Sequence, residues 1–183
     1  RRDGATLSGE VVQLTGETLI VLPDEAPDGI ALNDRAALAQ PGQIAPTTDW
    51  VGRIIDASGN PLDGKPLLAG SKPQPLRRAP PPAALRKHLG TRLETGLSVT
   101  NTMLPVVKGQ RMGLFAGSGV GKSTLLGTLA QQMEADVVVI AMIGERGREL
   151  RHFVDSVLGS EGLKKSVVVA ATSDQSPLLR RRC

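Results

Sequence analysis

Aromatic side chains are almost missing from this chain: one Trp, two Phe and no Tyr in 183 residues. Surfaces that hold single-stranded nucleic acid stack bases on such rings, so their scarcity argues against that class of partner. Cysteine is nearly absent too. Cys183 has no second thiol to bridge, so no intramolecular disulfide can form and a reducing, intracellular setting is expected. His88 and His152 stand alone, with no cysteine or carboxylate at zinc-ligand spacing, and surface positions are expected for both. No apolar run is long enough to span a bilayer, and the opening RRDGATLSGE lacks the apolar stretch of a secretory signal. A cytoplasmic protein, peripheral to a membrane at most, is the expectation. Charge of one sign is also in short supply: 22 Lys and Arg oppose 18 Asp and Glu, a formal net charge of +4. The densest basic cluster, Arg180 to Arg182, sits at one end of the chain. An ordinary solvated surface accounts for this balance, and nucleic acid is not expected as a partner.

What is abundant is glycine and proline, and both are unevenly placed. From Thr6 to about Arg53, short β-rich runs such as Gly9–Leu14 and Thr18–Leu22 are separated by turn formers, among them Pro27-Asp-Gly29 and Pro41-Gly42. Short strands at spacings of about ten residues predict a small β-barrel or sandwich, and residues 1–55 are assigned to a partial N-terminal β-barrel domain. Trp50 is read as a core or rim residue of it. Seven of the 13 prolines fall between Pro61 and Pro82, so residues 56–95 read as an extended connector. After Gly96 the rhythm changes. Arg111–Phe115, Asp136–Ile143 and Ser166–Ala171 are apolar throughout instead of alternating, as in strands of a parallel sheet covered on both faces. Between the last two, Leu150, Phe153, Val154, Val157 and Leu158 mark one stripe of a helix. Residues 96–183 are therefore read as the first part of an α/β domain with right-handed crossovers. Both ends of the chain read as cut.

The stretch AGSGVGKS, Ala116 to Ser123, lies between a predicted strand and a predicted helix. Three glycines there must supply a backbone shape that other residues resist. Strand, glycine loop and a helix opening with Gly-Lys-Ser is the arrangement that wraps a phosphate chain. Backbone N–H groups of Gly117, Ser118, Gly119, Val120, Gly121, Lys122 and Ser123 can point inward at phosphate oxygens, aided by the positive end of the helix. Lys122 would reach the terminal phosphates, and the Ser123 hydroxyl would be a Mg2+ ligand with Thr124 beside it. Ala116 stands where the usual pattern has glycine; it adds only a methyl group. A second signal is GERGRE, Gly144 to Glu149, with Glu145 lying 23 residues beyond Lys122 and directly after the next strand. A carboxylate at a strand's C-terminal end shares the sheet edge where ligands bind in open α/β sheets, and could orient an attacking water there.

FAGSGVGKSTLLG (Phe115 to Gly127), IGERGREL (Ile143 to Leu150) and ATSDQSPLLR (Ala171 to Arg180) resemble the ATPases of type III protein export systems, the flagellar export branch above all. These are relatives of the catalytic subunit of rotary ATP synthases. VGRIIDASGNPLDGKP (Val51 to Pro66) is similar to that superfamily's passage from barrel to core, so the resemblance covers nearly the whole chain.

The resemblance implies a P-loop, RecA-like core with ATP and Mg2+ as its ligands, hydrolysing ATP to drive flagellar or other type III export. By it Glu145 is the carboxylate that activates water, Arg146 an arginine organising the γ-phosphate region, and Arg180 an arginine sensing that region; Asp174 and Gln175 lie on the same edge without an assigned role. It also implies a ring of identical subunits, a hexamer, working with export-apparatus proteins and with exported substrates or their chaperones. The acidic strand end that holds Mg2+ through water, the aromatic residue packing on adenine and the arginine from a neighbouring subunit are expected outside these residues, leaving this stretch alone nearly inactive. Rival readings are a rotary ATP synthase catalytic subunit, an RNA-translocating motor of similar core, and a nucleotide-binding scaffold that does not hydrolyse. Glu145 and the shortage of aromatics weigh against the last two.

Overall fold

The structure is a computed structural model that describes residues 4–117 and 119–183. Ser118, one of the predicted loop residues, lies outside the described residues, as do Arg1, Arg2 and Asp3. In chain order the strands are β1 (Gly9–Leu14), β2 (Leu19–Pro23), β3 (Gln43–Ile44), β4 (Ile54–Ile55), β5 (Gln74–Pro75), β6 (Arg92–Leu93), β7 (Val106–Val107), β8 (Val138–Ile143) and β9 (Ser166–Ala171). The helices are α1 (Ser98–Thr102), α2 (Lys122–Gln132), α3 (Gly147–His152), a π-helical segment over Phe153–Leu158, α4 (Gly159–Leu163) and α5 (Pro177–Arg182).

The centre is a parallel sheet in the order β4-β9-β8, with Ile54 opposite Val168 and Val138 through Ile143 opposite Ser166 through Ala171. β9 is apolar along its length and buried at all but one position, because both of its faces are covered. On one face Val168 packs with Ala130 of α2 and with Phe153, Val154 and Leu158 of the π-helical segment. On the other, Val167 packs with Trp50 and Ile55. The two-residue side-chain period of a strand thus divides β9 between two small cores. Trp50 is buried, and its ring lies over the turn at Gly59, whose φ of +84° needs glycine and where a Cβ would come within 2.7 Å of the indole.

One sequence expectation is corrected, at Arg111–Phe115. Ile54 and Ile55 join the central parallel sheet as β4. Among the described residues β1 and β2 form a two-stranded antiparallel hairpin and the short β3 pairs with β5 of the connector, so residues 4–55 do not close a barrel on their own. Short strands with turn signals fix hairpins, whereas closing a barrel needs every edge paired. The strand expected at Arg111–Phe115 is not formed, and Phe115 is 94 % exposed. Apolar character makes a strand only where backbone N–H and C=O groups find a ladder, and among the described residues β8 pairs with β9 alone.

The helix stripe predicted around Leu150–Leu158 is present, but it loosens into a π turn from Phe153. Gln131 of α2 donates its amide to the carbonyls of Val157 (2.9 Å) and Leu158 (2.8 Å) at the end of that widened turn. Gly127 permits this docking, since a Cβ there would lie 2.4 Å from Cγ1 of Val157. The connector is held by Arg53, whose guanidinium grips both carboxylate oxygens of Asp63 (2.6 and 2.7 Å) and the carbonyls of Lys65 and Pro66. No described helix is long and apolar enough to cross a membrane.

Candidate nucleotide site

Gly119 and Gly121 take left-handed backbone conformations, φ +76° and +94°, with open space where a side chain would begin. Only glycine occupies that region without strain, so the loop's composition follows from its shape. Gly121 stands at the start of α2, and no side chain caps the first turn. The N–H groups of that turn therefore face outward without an internal acceptor, at the positive end of an 11-residue helix. Lys122, Ser123 and Thr124 are all exposed there. An uncapped helix start next to an ammonium and two hydroxyls suits a polyphosphate, and the Ser123 hydroxyl suits a hard divalent cation shared with phosphate oxygens.

The sheet decides what else stands at that edge. α2 is followed after a short connection by β8, whose C-terminal end leads into Gly144–Glu149. There Gly144, φ +78°, turns the chain, donating its N–H to the carbonyl of Ala171 (2.7 Å). Glu145 follows, exposed, and its carbonyl accepts from the N–H of Ser173 (2.9 Å). These two bonds lock the outlets of β8 and β9 together. Glu145 and Arg146 follow directly after β8 and Asp174 and Gln175 shortly after β9, while Arg180 lies further on, in α5.

α3 begins at this outlet. Arg146 donates its N–H to the Glu149 carboxylate (3.5 Å), and its guanidinium lies 3.5 Å from the same group. Glu149 is held below the ordinary carboxylate range, first by a side-chain hydrogen bond with Glu145, then by the Arg146 backbone, with the charges of Arg146 and Arg148 adding. Asp174 is lowered as well, chiefly by the Thr172 hydroxyl. Ser176 accepts from the N–H of Leu179 (3.3 Å) and starts α5; Leu178 is buried, and Nε of Arg180 is buried without a hydrogen-bond partner.

Gly117, Gly119, Val120, Gly121, Lys122, Ser123 and Thr124 are all exposed, while Glu145 and Arg146 follow β8 and Arg180 lies on α5. Among the described residues no hydrogen bond or ion pair joins Lys122 or Ser123 to Glu145, Arg146 or Arg180. Glu149 had no assigned role in the sequence; its four-residue spacing from Glu145 on a helix start was the available signal. Thr172 and Asp174 are two residues apart in one turn, closed by the N–H of Gln175 on the carbonyl of Thr172 (3.1 Å), so this contact is local.

Residues 96–183 match the ATP synthase alpha/beta family, nucleotide-binding domain. The flagellum-specific ATP synthase of Caulobacter vibrioides is 45 % identical over 96 % of this chain and 40 % of its own length. That of Bacillus subtilis is 43 % identical over 98 % of this chain and 41 % of its own. Among solved structures, the assembled ATPase EscN of the enteropathogenic E. coli type III secretion system superposes with a TM-score of 0.83 at 32 % identity, over 98 % of this chain and 44 % of that one. The chain spans about two fifths of the length of these relatives. Two bodies of similarity, in sequence and in backbone, agree: residues 96–183 belong to the nucleotide-binding domain of the ATP synthase alpha/beta family, and the chain is a relative of the flagellar and type III protein-export ATPases.

Proposed function

We propose that this chain carries the phosphate-binding half of an ATPase that hydrolyses ATP, with Mg2+, to drive flagellar or other type III protein export. The observation that carries the reading is the uncapped glycine loop at the start of α2, followed by β8 with Glu145 directly after it. Backbone N–H groups from Gly117 to Ser123, Ser118 included, and the Lys122 ammonium would bind the triphosphate. Ser123 would hold Mg2+, which when bound offsets negative charge on the phosphates, and Thr124 lines the same turn. Glu145 accepts a hydrogen bond from water, orients it in line with the γ-phosphate and draws its proton. Arg146 and Arg180 stabilise charge that develops on the γ-phosphoryl group.

The domain reading follows the same relatives: a partial N-terminal β-barrel domain over residues 1–55, a connector over 56–95 and the first part of the P-loop domain over 96–183. Exposed apolar residues on both faces of the β1–β2 hairpin, from Val11 to Leu22, support a barrel whose other strands lie elsewhere in a longer protein. A ring of identical subunits, a hexamer, is proposed from the assembled state that the EscN structure describes, and that protein's complex with its central stalk EscO supports a stalk partner here. Export-apparatus proteins, exported substrates and their chaperones complete the partners, in the cytoplasm and peripheral to the inner membrane.

The test is MgATP turnover by the full-length protein across protein concentration, with and without single-stranded RNA, beside a Glu145→Gln variant. Turnover that rises with concentration, ignores RNA and collapses in the variant is expected. RNA-dependent turnover would point to a nucleic-acid motor, and equal rates in both proteins would remove Glu145 from the mechanism.

A further inference from the structure

Helix α5 is tied to the rest of the molecule by side chains near both ends of Pro177–Arg182. Its N-terminal end is held by the Ser176 cap and by buried Leu178. Its C-terminal end is held by the N-terminal hairpin, more than 150 residues away in sequence: Arg181 Nη2 donates to Glu10 Oε2 (2.8 Å) and Arg182 Nη1 to Asp24 Oδ2 (2.9 Å). Arg77 from the connector donates to the other oxygen of Glu10. Glu10, Arg77, Arg181 and Arg182 also line a cavity of about 540 Å³ between hairpin and helix. The acidic partners are well covered, with Asp24 and Glu10 side chains 15 % and 23 % exposed.

Consecutive residues of a helix are turned by about 100° from one another. Once Arg181 and Arg182 are fixed on two carboxylates, the direction of Arg180 around the axis is fixed as well. Arg180 is the one arginine of the three whose Nε is buried and without a partner. Its aim is therefore set by its neighbours instead of by an acceptor of its own. We infer that Glu10 and Asp24 of the N-terminal hairpin are positioning residues that, through Arg181 and Arg182, hold Arg180 in place for the γ-phosphate. The inference rests on the proposed role of Arg180, and it makes the hairpin a part of the reaction machinery instead of a separate module.

The test uses MgATP kinetics of the full-length protein with six variants: Arg180→Ala; Glu10→Gln with Asp24→Asn; those three substitutions combined; the swap Asp24→Arg with Arg182→Asp; and Asp24→Arg and Glu10→Gln each alone. Displacing a group of this kind by about 1 Å can cost two orders of magnitude, so the paired neutral variant is expected to lose about tenfold to hundredfold in kcat with KM unchanged. The swap is expected to keep more activity than Asp24→Arg alone. In the Arg180→Ala background the neutral substitutions are expected to add no further loss, which a merely structural contact would not produce. Glu10→Gln alone, leaving the Arg182–Asp24 pair intact, serves if the paired variant does not fold, with a smaller kcat loss expected and an unchanged kcat overturning the inference. Unchanged kcat in the paired variant while Arg180→Ala loses activity overturns the inference and leaves the reading of Arg180 standing. Unchanged kcat in Arg180→Ala overturns that reading and the inference with it.

Discussion

Leu158 is fully buried at the end of the π-helical segment, packed in one cluster with Ala130, Phe153, Val154 and Val168. Replacing it by alanine removes three carbons from a site that three elements enclose. The site has little freedom to collapse, because Gln131 ties the carbonyls of Val157 and Leu158 to α2 and the Leu158 methyl already crowds Gly162 at 2.7 Å from the position of a Cβ. Buried leucine-to-alanine changes cost about 2–5 kcal/mol, and a site that cannot relax belongs in the upper part, about 3–5 kcal/mol. For a chain of 183 residues each kcal/mol lowers the melting midpoint by about 2–4 °C, so a fall of about 6–20 °C is expected by circular dichroism. Leu89→Ala, at a position 65 % exposed, is the control and is expected to stay within about 0.5 kcal/mol. A fall of under about 2 °C for Leu158→Ala would refute the reasoning, since the cluster would then not be the core that docks α2 on the sheet.

Two further outcomes follow from the local geometry. Gly121→Ala places a Cβ at φ +94°, which costs about 1–2 kcal/mol and shifts the start of α2, so binding of a fluorescent ATP analogue is expected to weaken at least tenfold while the melting point falls by only a few degrees. Asp63 has its carboxyl held well below the usual carboxylate range, first by the side-chain hydrogen bond from Arg53, against a cost from burial. A depressed folded pKa adds stability that is complete above the ordinary carboxylate value of 3.8 and is lost as pH falls below it. Melting midpoints of Asp63→Asn are therefore expected to lie below those of the unchanged protein at pH 7 and to converge with them as pH drops toward 2; parallel curves would show that the pair contributes nothing.

Much of the site was legible because its parts are local. Gly119 and Gly121 are written into the sequence by the left-handed backbone they adopt, and α2 starts at Lys122 as the loop pattern requires. β9 was legible from Ser166–Ala171, whose unbroken apolar run can only be satisfied between two covered faces. What was not legible is which apolar run finds a partner. Ile54–Ile55 and Arg111–Phe115 carry similar apolar strand signals, yet the first pairs with β9 and the second pairs with nothing among the described residues. Propensity reports what a segment tolerates, and the ladder partner, which may come from anywhere in the chain, decides the outcome.

The sequence by itself determined the chemistry on offer: a glycine loop ending in Lys122 and Ser123, a carboxylate at Glu145 after an apolar run, and arginines at 146 and 180. Backbone conformation and motif spacing are local properties, so they survive without knowledge of the fold. Only the tertiary structure decided that Glu145 and Ser173 share one locked outlet and that Arg181 and Arg182 reach Glu10 and Asp24 across nearly the whole chain. Contacts between residues so far apart carry no signature in either partner's neighbourhood, because their loop-closure entropy is offset only once the intervening sheet and helices have packed.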